Sequence, residues 1–211
     1  MKRILSITAL LAIACCLRAQ SSSDLGTWTS LQMVKGWEHT YATARLEHRS
    51  YDHISATEAY FGSVGAGYKF APWLKADINY EFWQIPVSSS PTVHKGVLSV
   101  AATLKRETLA VSLREKYELA FTEGGSPYGV LRSRLRAQYT IPDSAFTPYA
   151  MYEYFNYTGT GEWQRSLHYA GLEIKLSKHH GLDFFYMYHL YPSGGDLKSS
   201  NLLGIGYVLS L

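Results

Sequence analysis

The decisive stretch is Leu74-Lys75-Ala76-Asp77-Ile78-Asn79-Tyr80-Glu81-Phe82-Trp83. Its even positions read Leu, Ala, Ile, Tyr and Phe, and its odd positions read Lys, Asp, Asn, Glu and Trp. A period of two means a strand, with one apolar and one largely ionic face. Charges threaded through an apolar segment do not suit an ordinary soluble core, which excludes them.

The pattern recurs in both directions. At His94 to Arg106, Leu98, Val100, Ala102 and Leu104 oppose Lys95, Ser99, Thr103 and Lys105. At Leu131 to Ile141, Leu131, Leu135, Ala137, Tyr139 and Ile141 oppose Arg132, Arg134, Arg136, Gln138 and Thr140. Further candidates are Gly26 to Lys35, Thr40 to Arg49, Thr57 to Phe70, Thr108 to Phe121, Thr147 to Tyr157, Leu167 to Ser177, Leu182 to Tyr191 and Leu202 to Leu211. The connections alternate in kind. Ala71-Pro72, Lys105-Arg106-Glu107, Pro142-Asp143-Ser144 and Lys178-His179-His180 are tight, whereas Ser88 to Thr92, Thr122 to Tyr128, Thr158 to Gln164 and Pro192 to Ser200 are longer and polar.

Short turns at one rim and long loops at the other are the outer-membrane barrel pattern. The competing fold is a soluble β-sandwich. Against it stand strands of about 10 to 14 residues, where about 5 to 6 is usual, and aromatics near the strand ends. Trp37, Phe70 and Trp73 are expected at the short-turn rim, and Tyr51, Trp83, Trp163 and Tyr191 at the loop rim, as interfacial girdles. The closing run Gly204 to Leu211, with Ile205, Tyr207, Leu209 and Leu211 on one face, has the form of a terminal insertion strand. The expected fold is all-β, a single antiparallel transmembrane β-barrel of 10 to 12 strands. Eleven segments are legible, but a chain with both ends in the periplasm needs an even number. Gly26 to Lys35 alternates least clearly, so either it lies outside the wall or one strand is hidden, giving ten or twelve.

Lys2 and Arg3, the apolar run to Leu17 and the small-residue site ending at Ala19 read as a secretory signal peptide over residues 1–19, leaving residues 20–211 as the barrel. Cys15 and Cys16 leave with it, so no disulfide or thiolate chemistry is expected in the mature chain. A lipoprotein box ending at Cys15 is the alternative processing. Losing Lys2, Arg3 and Arg18 leaves 17 basic and 17 acidic residues, which removes any charge argument for a nucleic-acid partner.

Asp24-Leu25-Gly26-Thr27-Trp28-Thr29, the run Leu131 to Tyr139 with Phe146-Thr147-Pro148-Tyr149 and Glu153, and the run Leu176 to Asp183 carry a resemblance. Through them the mature chain is similar to the family known as domain of unknown function 2490, a group of Gram-negative outer-membrane barrels. The resemblance implies outer-membrane location and brings no activity, substrate or catalytic residue.

With the apolar face toward lipid, the charges point inward. The expected lumen cluster is Arg114, Lys116, Glu118, Arg132, Arg134, Arg136 and Glu153, joined by Arg45, Glu47, Arg49, Lys75, Asp77, Glu81, Glu173, Lys175 and Asp183. Folding the hairpin about Thr122 to Tyr128 sets Glu118 by Arg132, Lys116 by Arg134 and Arg114 by Arg136. Such a stripe either neutralises itself into a plug or lines a narrow channel for a small anionic solute, and the nearby acids favour the plug. No cofactor, metal or nucleic acid is expected. The bilayer is the expected partner and a monomer the expected state.

The rival class is a lipid-acyl hydrolase. His48, His94 and His168 lie outward near the loop rim, with Ser50 and Ser166 two residues from His48 and His168. Two residues along a strand is about 6.6 to 6.8 Å, too far for a nucleophile and its base. His179-His180 with Asp183 reads as a polar turn in preference to a metal site, and Gly65-Ala66-Gly67 as a place of curvature or close packing. Glu115 falls on the lipid face, and a bulge near it is the expected explanation.

Overall fold

The computed structural model describes residues 24–88 and 92–211. The proposed signal peptide, its cleavage site and both cysteines lie outside these residues. All eleven expected segments are strands, and among the described residues there is no helix. They are β1 (Asp24–Gly36), β2 (Thr40–Tyr51), β3 (Ala56–Ala71), β4 (Leu74–Gln84), β5 (Thr92–Arg106), β6 (Leu109–Thr122), β7 (Tyr128–Tyr139), β8 (Phe146–Tyr157), β9 (Trp163–Lys175), β10 (His180–Ser193) and β11 (Asp196–Ser210). Each pairs with its chain neighbours, and β1 meets β11 to close the barrel. Closure leaves no open edge, the condition for a sheet to stand in lipid.

The expected even strand number is incorrect, because all eleven strands lie in the wall. The odd count is resolved at one seam, where β1 and β11 run parallel from Asp24↔Ser200 to Val34↔Ser210. The remaining pairs are antiparallel. In consequence β1 starts at the loop rim, while β11 ends at the short-turn rim. Gly26 lies inside the wall for a steric reason: a Cβ there would fall on the Ser50 carbonyl.

The outer surface tells what solvent it meets. Leu46, Val64, Ile78, Leu98, Leu104, Leu135 and Leu203 all stand exposed on it, from 51% for Leu135 and Leu203 to 77% for Leu104. A continuous apolar belt of that extent is foreign to a water-soluble monomer and natural to a lipid-facing wall. Trp37, Phe70 and Trp73 are exposed at the short-turn rim as expected. Tyr51, Trp83 and Tyr191 are not girdle residues, since all three line the lumen.

Two connections differ from the expected loops. Pro192 to Ser200 is mostly strand, because Gly194 and Gly195 at φ 66° and 88° form a two-residue hairpin turn with the backbone that only glycine adopts freely. Between β6 and β7 the turn is tightened at Thr122–Gly125. This moves the register by two from the expected one, so that Lys116 faces Arg132, Arg114 faces Arg134 and Ser112 faces Arg136. No bulge lies near Glu115, which pairs regularly with Val100 and Ser133. It faces lipid, and its carboxylate accepts a hydrogen bond from Ser133 Oγ at 2.7 Å. Gly67 and Gly171 give the rings of Tyr41 and Tyr149 room to lie flat against the wall.

Candidate functional site

Inward parity brings the charges into one network across the lumen. Glu118 on β6, 1% exposed, accepts from Lys95 Nζ at 2.9 Å, from Lys116 Nζ at 3.0 Å and from Arg132. Glu153 on β8 accepts from Arg114 at 3.0 Å and Arg132 at 3.1 Å, and Glu81 on β4 from Lys116 at 2.7 Å and the Trp83 indole at 3.0 Å. These contacts span β4 to β8, because the curvature of a small barrel points side chains of non-adjacent strands at one another. On β2, Glu47 holds Arg45 at 2.5 Å and Arg49 at 2.6 Å. Nearer the short-turn rim Arg136 pairs with Glu173 at 2.7 Å, and the Tyr149 and Tyr41 hydroxyls donate to Asp183 and Asp77.

Of the expected cluster, Arg114, Lys116, Glu118, Arg132 and Glu153 form one connected network, and Arg136 joins Glu173 instead. Arg134 faces Arg114 in register and makes no ion pair among the described residues.

Toward the loop rim the lumen turns apolar. Val130, Phe155, Leu167, Met187 and Leu202 form one buried cluster, with Trp28, Tyr169 and Phe185 packed on it. Ala59, Phe61, Trp83, Val93 and Ala120 form another. Arg49 sits between them, its guanidinium 3.6 Å from the centre of Trp28 and 4.5 Å from that of Trp83. A desolvated cation–π contact is worth about 2 kcal/mol, so this arginine is held by two rings as well as by Glu47.

Around that arrangement the lumen holds two cavities. A vestibule of about 800 Å³ runs to the short-turn rim, and a chamber of about 320 Å³ lies on the loop side. Trp28, Arg49, Trp83 and Arg132 line both and stand at the boundary between them, the partition. Ten Lys and Arg against six Asp and Glu line the vestibule, which gives it a positive field.

The partition was not foreseen from sequence, although the odd parity of Trp83 already placed it on the ionic face. The outward histidines do not meet the serines near them. His48 pairs with Thr57 Oγ1 at 3.2 Å, Ser50 with Thr27, and His94 with Tyr80, while His168 packs between Tyr152 and Tyr188. Among the described residues one hydrogen bond between a serine and a histidine side chain does occur, inside the chamber, where Ser200 Oγ lies 3.3 Å from His189 Nδ1. Among the described residues the other His189 nitrogen has no partner, so no acid there orients that pair. His179 and His180 bond the Ser210 carbonyl and the Tyr207 hydroxyl, away from Asp183. Asp24, Asp52 and His53 bring ligand-type atoms within 4.8 Å of one another at the loop rim, but both Asp24 oxygens already accept backbone N–H groups there.

A closed wall, apolar outside and ionic within, defines a transmembrane β-barrel of the outer-membrane type. The chain belongs to the family described as protein of unknown function (DUF2490), whose model matches residues 25–199. Among solved structures the NanC porin is similar in fold, with TM-score 0.53 and 15% identity, over 90% of this chain and 100% of that one. The KdgM porin matches at TM-score 0.47 and 16% identity over 83% and 95%. OmpT, an outer-membrane protein of Vibrio cholerae, matches at 0.46 and 15% over 82% and 61%. No curated protein matches the chain.

Proposed function

We propose that this protein is an outer-membrane barrel with an anion-accepting vestibule, stoppered in its resting state at the partition. The observation that carries this reading is the seat of Arg49 between Trp28 and Trp83, at the place where the two cavities meet. Behind it Glu118 and Glu153 satisfy three and two cations, an arrangement that resists the entry of water and ions. Arg134, without an ion pair among the described residues, and the excess of cations over acids make the vestibule attractive to small anionic solutes from the short-turn side.

Planar-bilayer recording tests this directly. The parent protein is expected to be nearly silent. The Arg49→Ala, Trp83→Ala double variant is expected to conduct, with a reversal potential favouring anions that moves toward cations on adding Arg134→Glu. Large steady steps from the parent refute the stopper. Silence of the double variant, with folded protein shown in the bilayer, refutes the channel.

A further inference from the structure

The loop-side chamber has a chemistry that the stopper does not use. Among the described residues, four buried nitrogens of its lining lack any hydrogen-bond partner: Trp28 Nε1, Arg132 Nε, Arg165 Nε and His189 Nε2. Trp28 and Arg132 belong to the partition, while Arg165 and His189 line the chamber alone. When the Ser200 hydroxyl donates to His189 Nδ1, the hydrogen of that ring sits on Nε2. All four are then donors, and nothing in the wall accepts from them.

Burying a donor without an acceptor is costly, so four in one small cavity call for an acceptor supplied from outside. Arg165 also makes no ion pair among the described residues, its guanidinium lying 4.5 Å from the centre of the Phe155 ring. An oxyanion meets this need, since it accepts from every side and donates nothing. The rest of the lining says what the anion is attached to. Phe155, Leu167, Leu202 and Val87 give the chamber an apolar wall, and its volume of about 320 Å³ suits a small organic molecule. Asp24 and Glu58 also line it. They add repulsion for highly charged species, which favours a monoanion.

We infer that the loop-side chamber is a binding site for a small organic monocarboxylate, its carboxylate held by Trp28, Arg165 and His189 and its apolar body lying against Phe155, Leu167 and Leu202. This goes beyond the vestibule reading and does not depend on conduction through the partition.

Calorimetric titration of the full protein in detergent tests it with benzoate, using benzyl alcohol and inorganic phosphate as comparators. Benzoate is expected to bind one to one, benzyl alcohol not measurably, and phosphate at least about tenfold more weakly, because it forgoes the apolar contacts. Arg165→Gln is expected to weaken benzoate by about tenfold or more. Trp28→Phe keeps the ring, removes only the N–H and is expected to weaken it several-fold, so it decides the matter even where Arg165→Gln does not fold. Glu115→Gln, on the lipid face, should change nothing. Heat-modifiable gel migration confirms that each variant is a closed barrel. The inference is overturned if benzoate does not bind, if it binds no better than benzyl alcohol or phosphate, or if the folded Trp28→Phe variant binds it as the parent does.

Discussion

Glu118→Gln removes one charge from the centre of the lumen while keeping the side-chain volume. In the parent, Lys95, Lys116 and Arg132 converge on this carboxylate. Afterwards Lys116 keeps Glu81 at 2.7 Å and Arg132 keeps Glu153 at 3.1 Å, but Lys95 has no second acid in ion-pair range among the described residues. Breaking a buried pair so that one charge is stranded costs about 3–5 kcal/mol. Since two of the three cations keep another acid, the lower end applies, at about 3 kcal/mol. With an unfolding slope of about 2 kcal/mol per molar urea, the midpoint should fall by about 1.5 M. Urea titration of the barrel in micelles, followed by tryptophan fluorescence and heat-modifiable migration, measures it. Adding Lys95→Met removes the stranded cation and should restore more than half of the loss. A fall worth less than about 1 kcal/mol, or no recovery in the double variant, would show that the network is a loosely hydrated stripe and refute the packed ionic plug.

Two further changes probe the wall. Glu115→Leu replaces an exposed carboxylate in the middle of β6 by an apolar side chain facing lipid, and should raise the urea midpoint by the equivalent of about 1–2 kcal/mol, charge on the lipid face being destabilising; a lower midpoint would mean that Glu115 meets something other than lipid. In a background without Cys15 and Cys16, the pairs Thr29→Cys with Ile205→Cys and Met33→Cys with Leu209→Cys should both cross-link on non-reducing gels. Antiparallel closure through the first pair would separate the second, so failure of either one refutes the parallel seam.

The strands were legible in the sequence because a period of two is a local property, set by which side of the sheet is wet. That is why segments such as Leu74 to Trp83 have nearly the boundaries expected. The strand number misled because the demand for an even count comes from where termini are assumed to lie, not from any residue. The β6–β7 register was off by two because the turn closes at Thr122–Gly125, short of the middle of the polar stretch. Within the lumen, parity named the inward charges but not their partners. Lys116 reaches Glu81 two strands away and Arg114 reaches Glu153 two strands away on the other side, which depends on barrel curvature rather than on neighbouring sequence. Trp83 and Tyr191 were assigned to a girdle from residue type alone, although their parity pointed inward.

The strand that alternated least is the one that shapes the lumen most. From Gly26 on, the inward positions of β1 hold Gly26, Trp28, Ser30 and Gln32, and the first two outward positions hold Thr27 and Thr29, so no apolar face shows there. Each departure has a local cause. Thr27 bonds Ser50 Oγ through both its backbone N–H and its hydroxyl, and Thr29 donates to the His48 carbonyl, tying β1 to β2. Gly26 lets the Ser50 carbonyl approach. Trp28 supplies one ring of the Arg49 clamp, packs edge-on against Phe185 and carries one of the unsatisfied donors of the chamber. A sequence that specifies a wall alone would keep the pattern clean there; one that must also seat an arginine and two rings inside the wall has to break it. The weak alternation of Gly26 to Lys35 therefore goes with the seating of Arg49 inside the wall, and the residue that lines both cavities, holds that arginine and carries an unpartnered donor is Trp28.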